Sequence, residues 1–335
     1  LDAVSAEQVA GLRAMLLGEQ PGAAAPGRVL ATWRPSWLRY SPLSWSGLLM
    51  IGAATGIAQQ AGFGHVPGRW VQAFGGPALA AGILLAGVAL AVGRSLLTYG
   101  NLVLTRRVDT LHLVHGLLRI QEHTFDLRRL RGGTLRQPLL LRALGGARLD
   151  AVMTGVAGVG ESSLLLPPCP SSTATGVLTD LVGDAEVVHG PLTPHGSAAA
   201  RRRWVRALAV PVAAAMVLVF APLPGWSWGL WAAGTVLAAG LAYDRVRALG
   251  HRVDARWLVA SAGSLERRRD CVQTAGIIGW TVRQTWFQRR AKVATLVAAT
   301  AAGTKRYMLI DVPAEIAWAV AANASPWVAD SQWYA

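Results

Sequence analysis

Arg107-Val-Asp-Thr-Leu-His-Leu-Val114 and Arg252-Val-Asp-Ala-Arg-Trp-Leu-Val259 are near-copies, and a second match sets Thr134-Leu-Arg-Gln-Pro-Leu-Leu-Leu-Arg142 on Thr281-Val-Arg-Gln-Thr-Trp-Phe-Gln-Arg289. The first pair is 145 residues apart and the second 147. That gain of two is assigned to the turn holding Gly116 and Gly263, where an insertion costs least. A duplicated unit, running from Arg107 to about Gly155 and again from Arg252 to about Gly303, therefore organises the chain.

Each copy reads as β structure. Short runs such as Leu111 to Val114, Ala147 to Met153 and Leu164 to Leu166 are separated by Gly, Pro or Asp turn signals. From Ala147 to Met153, small or apolar residues alternate with mostly polar ones, the period of a half-buried strand. Each copy closes on a helix. Ser171 and Ser172 are expected to cap one running to about Leu181, and Pro313 with Glu315 suits the first turn of Ala314 to Ala322.

Composition bounds what surrounds these copies. Hydrophobic residues make up 53% of the chain, charged residues 15%, mean hydropathy is +0.36 and the formal charge is +14. A soluble nucleic-acid binder shares the charge but not the hydropathy, so a membrane protein with basic soluble parts is expected. Residues 40 to 68 and 70 to 93 carry no Asp, Glu, Lys or Arg, and neither do residues 207 to 243, which Pro222-Leu-Pro-Gly225 divides. A bilayer core of about 30 Å needs about 20 apolar residues per helix. Spans are expected near 43 to 62, 73 to 93, 207 to 221 and 226 to 243. A buried soluble helix is the alternative for the first. Arginines flank both pairs on one side (Arg28, Arg34, Arg39, Arg94, Arg106, Arg107; Arg201 to Arg203, Arg206, Arg245, Arg247, Arg252), and Arg69 lies on the other. The positive-inside rule puts both β units and both termini in the cytoplasm. Trp45, Trp70, Trp204 and Trp226 near the span ends suit the interface.

The paired spans, the turn glycines Gly116 and Gly263, the Arg-Gln pairs (Arg136-Gln137, Arg283-Gln284) and the closing helices resemble the bacterial pleckstrin-homology-like, membrane-flanked proteins of the YdbS/YdbT type. The resemblance covers most of the chain. It implies an α+β membrane protein of two transmembrane helical hairpins, each followed by a seven-stranded PH-like β-sandwich or barrel with a C-terminal capping helix. The expected layout is hairpin 1 at 40–95, PH-like domain A at 100–190, hairpin 2 at 204–243, PH-like domain B at 245–325 and an aromatic tail at 326–335. Leu1-Asp-Ala-Val-Ser-Ala-Glu-Gln-Val-Ala-Gly-Leu12 resembles Ile310 to Val320, so residues 1–20 read as the closing helix of an earlier PH-like copy, or as an ordinary amphipathic helix. Residues 262–265 and 298–302 depart from the pattern.

No constellation for catalysis emerges, and no cofactor or metal is expected. Gly155-Val-Ala-Gly-Val-Gly160-Glu161-Ser162 lacks the lysine of a phosphate loop and reads as a hairpin turn, as does its counterpart near Lys305. His112 and His115 point to opposite faces of one strand, with no carboxylate or thiol to complete a metal set. Cys169 and Cys271 are expected to be reduced. The candidate lipid- or partner-binding residues are Arg128, Arg129, Arg131, Arg136 and Arg142 in the first copy, and Arg267, Arg268, Arg269, Arg283, Arg289 and Arg290 in the second. Two readings of them stay open: contact with anionic lipid, at about 1 kcal/mol per arginine, or pairing with neighbours such as Glu122, Asp126 and Asp270. Trp280, Trp286 and Phe287 interleave with the second set like stacking platforms, yet in a β core they are expected to be buried, which argues against nucleic acid. The expectation is a non-enzymatic, multi-pass bacterial inner-membrane protein presenting tandem cytoplasmic domains to lipids, a protein partner or itself. The alternative is a subunit of a membrane assembly for export of, or resistance to, membrane-active compounds.

Overall fold

The computed structural model describes residues 27–60, 68–155, 163–220 and 224–329. The expected helix over 1–20, the turn over 156–162 and the tail beyond 329 lie outside them. A first unit runs β1 (Arg28–Thr32), a 3₁₀ segment Pro35–Leu43, α1 (Trp45–Gln60), α2 (Gly68–Tyr99), β2 (Val103–Arg106), β3 (Thr110–His115), β4 (Gln121–Asp126), β5 (Leu130–Pro138), α3 (Leu139–Ala143), β6 (Gly146–Met153), β7 (Leu164–Pro170), α4 (Ser171–Val182) and α5 (Ala185–His189). The second runs α6 (Gly196–Phe220), α7 (Trp226–Arg247), β8 (Gly250–Val253), β9 (Trp257–Ala262), β10 (Glu266–Gln273), β11 (Ile277–Arg283), α8 (Trp286–Arg290), β12 (Val293–Thr300), β13 (Arg306–Pro313), α9 (Ala317–Ala324) and α10 (Pro326–Ala329).

From the end of α2 through β6 the two units match at a constant step of 147. Gly116 and Gly263 hold the same tight turn: their φ values are 114° and 101°, and a Cβ on either would fall 2.0 Å from the carbonyl oxygen three residues on. The β-bulge between Leu130 and Gly132 recurs between Ile277 and Gly279. The step already holds at β2 and β8, since Arg107 N–H donates to Thr110 and Asp254 N–H to Trp257. The Arg-Val-Asp match at a step of 145 is thus a local coincidence two residues out of structural register. The true length change lies between β6 and β7, after which Pro170, opposite Gly146, corresponds to Pro313, opposite Val293. The helix expected from Ser171 forms, but Pro170 occupies its N-cap with no side-chain cap; the Ser171 N–H donates instead to Gly145.

Among the described residues three antiparallel sheets result, in the orders β1-β2-β3-β4, β7-β6-β5-β10-β9-β8 and β11-β12-β13. The middle sheet crosses the boundary between the copies. β5 pairs with β10 from Pro138 opposite Glu266 to Gly132 opposite Val272. At Gly132 (φ 137°) a Cβ would stand 1.9 Å from the Cys271 carbonyl oxygen, so the seam requires glycine there. Because this sheet is shared, it carries one core on each face. Leu149, Ala151, Val259 and Cys271 face the first, with Leu104, Leu166 and Leu178. Val152, Leu258 and Val272 face the second, with Leu296, Leu309 and Ala321. Hence β6 is buried on both faces rather than one.

β1 precedes the first helix pair and pairs with β2, and Thr193 makes the corresponding bridge to His251 ahead of the second. Each helix pair is therefore an insertion between the first and second strands of its unit. α1 packs along α2 and α6 along α7. Two helices among the described residues are long and apolar enough to cross a membrane, α2 over Ala81–Tyr99 and α6 over Gly196–Phe220, with 11% and 6% of their windows buried. Such exposure is the reverse of a soluble protein's core helix.

Candidate functional site

Six of the eleven candidate arginines are occupied inside the protein. Arg136 reaches Asp150 (2.7 Å) and Glu266 (3.1 Å) across the seam. Burial works against its charge, and these carboxylates hold its pKa above the ordinary value. Arg142 of the first unit and Arg267 of the second converge on Asp244 near the end of α7, each at 2.7 Å. Arg268 pairs with Asp270, whose other donor is Thr134; burial raises the Asp270 pKa against their pull. Arg269 donates to the Val187 and Gly190 carbonyls, and Arg131 reaches Gln273. Part of the signal for this was in the sequence: Asp270 sits two residues from Arg268 on β10, whereas Asp150 and Glu266 reach Arg136 from neighbouring strands.

Arg128, Arg129, Arg283, Arg289 and Arg290 are exposed. Arg128 stays with Asp126, which caps the turn between β4 and β5. Arg289 and Arg290 belong to α8, a single turn fixed by a capping box between Thr285 and Gln288. Gln288 ties α8 to the base of α6, because its amide donates to Asp311 (2.9 Å) and Asp311 also pairs with Arg202 and Arg203 of that helix. From this anchored turn Trp286 and Phe287 project, 60% and 67% exposed, packed edge to face with Arg290 over the indole. These aromatics were expected in the core; the turn that carries them faces outward at the foot of a helix pair.

Other exposed apolar residues collect at the same level. Leu117, Leu118 and Ile120 flank the β3–β4 turn, which is bound to the end of α2 by the Leu117 N–H on the Leu97 carbonyl. Leu140 and Leu144 border α3, where Tyr40 of the 3₁₀ segment donates to the Leu144 carbonyl. Exposed apolar side chains thus lie near the end of α2, at α3 and, with Arg289 and Arg290, on α8.

At the first of these bases lies a pocket of about 350 Å³. Arg94, Ser95 and Thr98 of α2, Ser41, Ser44 and Ser46 around the start of α1, Arg148 of β6 and Glu266 of β10 supply its polar wall; Leu49, Met50 and Ala91 line it one turn farther along the helices.

Residues 199–324 match the family model of the Bacterial PH domain. The PH domain so defined takes in α6 and α7 as well as β8–β13 and α9, so the helix pair belongs to the match. No curated protein and no solved structure matches the chain. The first unit lies outside the matched residues; its strands β5–β7 share their order and their bulges at Leu130/Gly132 and Ala147/Leu149 with β11–β13.

The remaining candidates are structural. His115 Nδ1 donates to the Thr98 carbonyl and its ring stacks on His123 at 5.6 Å, while His112 meets Thr124. Cys169 and Cys271 are buried free thiols pushed up to about 12 by burial. His195, just ahead of α6, and His251 of β8 form a pair that the sequence reading passed over. His195 Nδ1 lies 2.8 Å from the Ile310 carbonyl and must donate, which leaves its Nε2 to accept from His251 Nδ1 at 2.9 Å.

Proposed function

We propose that the chain is a non-enzymatic, multi-pass protein of a bacterial inner membrane, in which both helix pairs span the bilayer and the two sheet units form a tandem PH-like platform docked on the cytoplasmic surface. The observation that carries this reading is α8: an anchored turn that presents Trp286 and Phe287 beside Arg289 and Arg290 at the foot of an apolar helix. Indoles favour the headgroup region and arginines the anionic surface. The apolar loops at Leu118 and Leu140 support the same orientation. The arginine counts on either side of the helices favour a cytoplasmic platform.

The reading is tested by reconstituting the full chain into vesicles whose lipids carry bromine at shallow acyl positions. Trp286→Phe is expected to remove a distinct share of the tryptophan quenching and Trp280→Phe to remove none. Equal quenching in both variants overturns the orientation.

A second reading, a subunit of a larger membrane assembly, is favoured by the sheet edges. Among the described residues β4 and β11 end their sheets without a partner strand, and such edges accept strands from other chains. Cysteine crosslinking between positions 122 and 282 tests it, with crosslinked oligomers in the membrane as the expected result.

A further inference from the structure

The two helix-pair bases are built on equivalent positions but solve opposite charge problems. In the second unit the sheet side offers Gln288, Thr295 and Asp311, and Asp311 answers Arg202 and Arg203 from the helix. The equivalent positions of the first unit are Leu141, Arg148 and Pro168, all of which line the pocket. The carboxylate is replaced by proline, and the neutral threonine by an arginine. Arg94 comes from the helix side and, among the described residues, no ion pair joins it to a carboxylate. The other charges nearby balance: Arg136 and Arg148 share Asp150, and Arg136 also holds Glu266. Three arginines against two carboxylates leave one positive charge in the pocket.

Polarity in the pocket is graded along the helices. Arg94, Ser95, Ser44 and Ser46 lie toward the sheet; Leu49, Met50 and Ala91 lie a turn outward. Beyond them the helices close on each other, where a Cβ on Gly87 would stand 2.9 Å from the Ile51 Cα. A ligand matching this shape carries one negative charge, hydroxyl-bonding oxygens and an apolar extension directed along α1 and α2.

We propose that this pocket holds the phosphodiester of a singly anionic membrane phospholipid, with Arg94 and Arg148 on the phosphate, the serines on headgroup oxygens and the first acyl carbons against Met50 and Ala91. The phosphate takes the electrostatic part that Asp311 plays in the second unit. This assignment rests on the membrane reading above.

The test uses the full chain, extracted from membranes in mild detergent and exchanged into equal phosphatidylglycerol and phosphatidylethanolamine, with retained lipid identified by native mass spectrometry. The wild type is expected to retain phosphatidylglycerol preferentially. Arg94→Gln and Arg148→Gln should each reduce that retention about tenfold, the worth of one charge-assisted hydrogen bond. Arg306→Gln, on the exposed start of β13, should leave it unchanged, and Arg148→Lys should restore part of it, which separates lost binding from lost folding. Equal retention of the two lipids overturns the charge argument. Displacement by millimolar glycerol phosphate assigns the pocket to a soluble phosphate ester and overturns the lipid. A chain that stays in the membrane but shows no dependence on Arg94 sinks this inference alone, whereas a chain absent from the membrane fraction sinks the proposed function first.

Discussion

The same backbone plan carries a filled base in one unit and an open one in the other. In the second unit Asp311, at φ 60° in the β13 bulge, lies buried among Arg202, Arg203 and Gln288; in the first, Pro168 occupies the matching bulge, and proline's ring excludes that φ. The bulges that interrupt β6–β7 and β12–β13 fall at the same place, so one residue exchange changes both the local backbone and the charge offered to the helices. The two units share a frame and differ at the helix–sheet junction. The lesson extends to the seam: β5 is covered by β10, while its counterpart β11 is open.

That contrast predicts its own largest break. Gly132→Ala puts a Cβ against the Cys271 carbonyl at a φ that side chains avoid, and should cost several kcal/mol, about 3 or more. The equivalent Gly279→Ala meets nothing nearer than Ala299 at 3.9 Å and should change stability by less than about 1 kcal/mol. Denaturant unfolding of the two variants in detergent checks the pair; equal losses would show that the seam is not the constraint.

Removing the acid of the filled base ranks next. Asp311→Ala leaves Arg202 and Arg203 without their carboxylate and is expected to cost about 3–5 kcal/mol. Burial raises the Asp311 pKa while Gln288 and Arg203 lower it further, and the net is a depressed value. Its contribution is therefore present above the ordinary carboxylate pKa and is lost as pH falls through the folded value. Melting temperatures of the variant and wild type at pH 7 measure the difference.

Acid should loosen the second unit more gently. Burial, ahead of the neighbouring charges, depresses the His195 pKa to about 4, and it lowers that of His251 as well. The unfolded chain takes up a proton near pH 6.5 and the folded one does not. Stability is complete above pH 6.5 and declines toward pH 4, with His195 alone contributing about 3 kcal/mol of the decline. The first unit has the buried Leu104 where the second has His251, so His251→Leu is expected to flatten the melting-temperature profile between pH 7 and 4. An unchanged slope would move the acid sensitivity elsewhere. The smallest effect concerns the thiols: Cys169 and Cys271, one in each unit, should both resist iodoacetamide at pH 8 until the chain is denatured.

Much of the frame was legible because it is local. Turn glycines, alternating strands and the Arg136 and Arg283 positions each announce themselves within a few residues, and duplication doubled the signal. The Arg-Val-Asp match misled because a short similarity can sit two residues out of register when neither copy buries those side chains on a shared face. The β5–β10 seam was illegible for the opposite reason: a pairing between strands of different copies leaves no period in the sequence. At the site, the arginines were found but not sorted, since the groups that occupy six of them, acids for four and carbonyl or amide oxygens for Arg269 and Arg131, come in part from other elements, such as Asp244 on α7. Trp286 and Phe287 were misplaced because a one-turn helix at a strand end looks like strand. Arg94, inside an apolar stretch, was counted as a topology marker.

Thr134 and Asp270, hydrogen-bonded across the seam, are 136 residues apart in the chain. At a synthesis rate of about 5–20 residues per second, β5 leaves the ribosome on the order of ten seconds before its partner strand exists. During that interval α6 and α7 are made. The first unit consequently waits, with one sheet edge bare, until the second helix pair has been delivered and β10 can close onto β5.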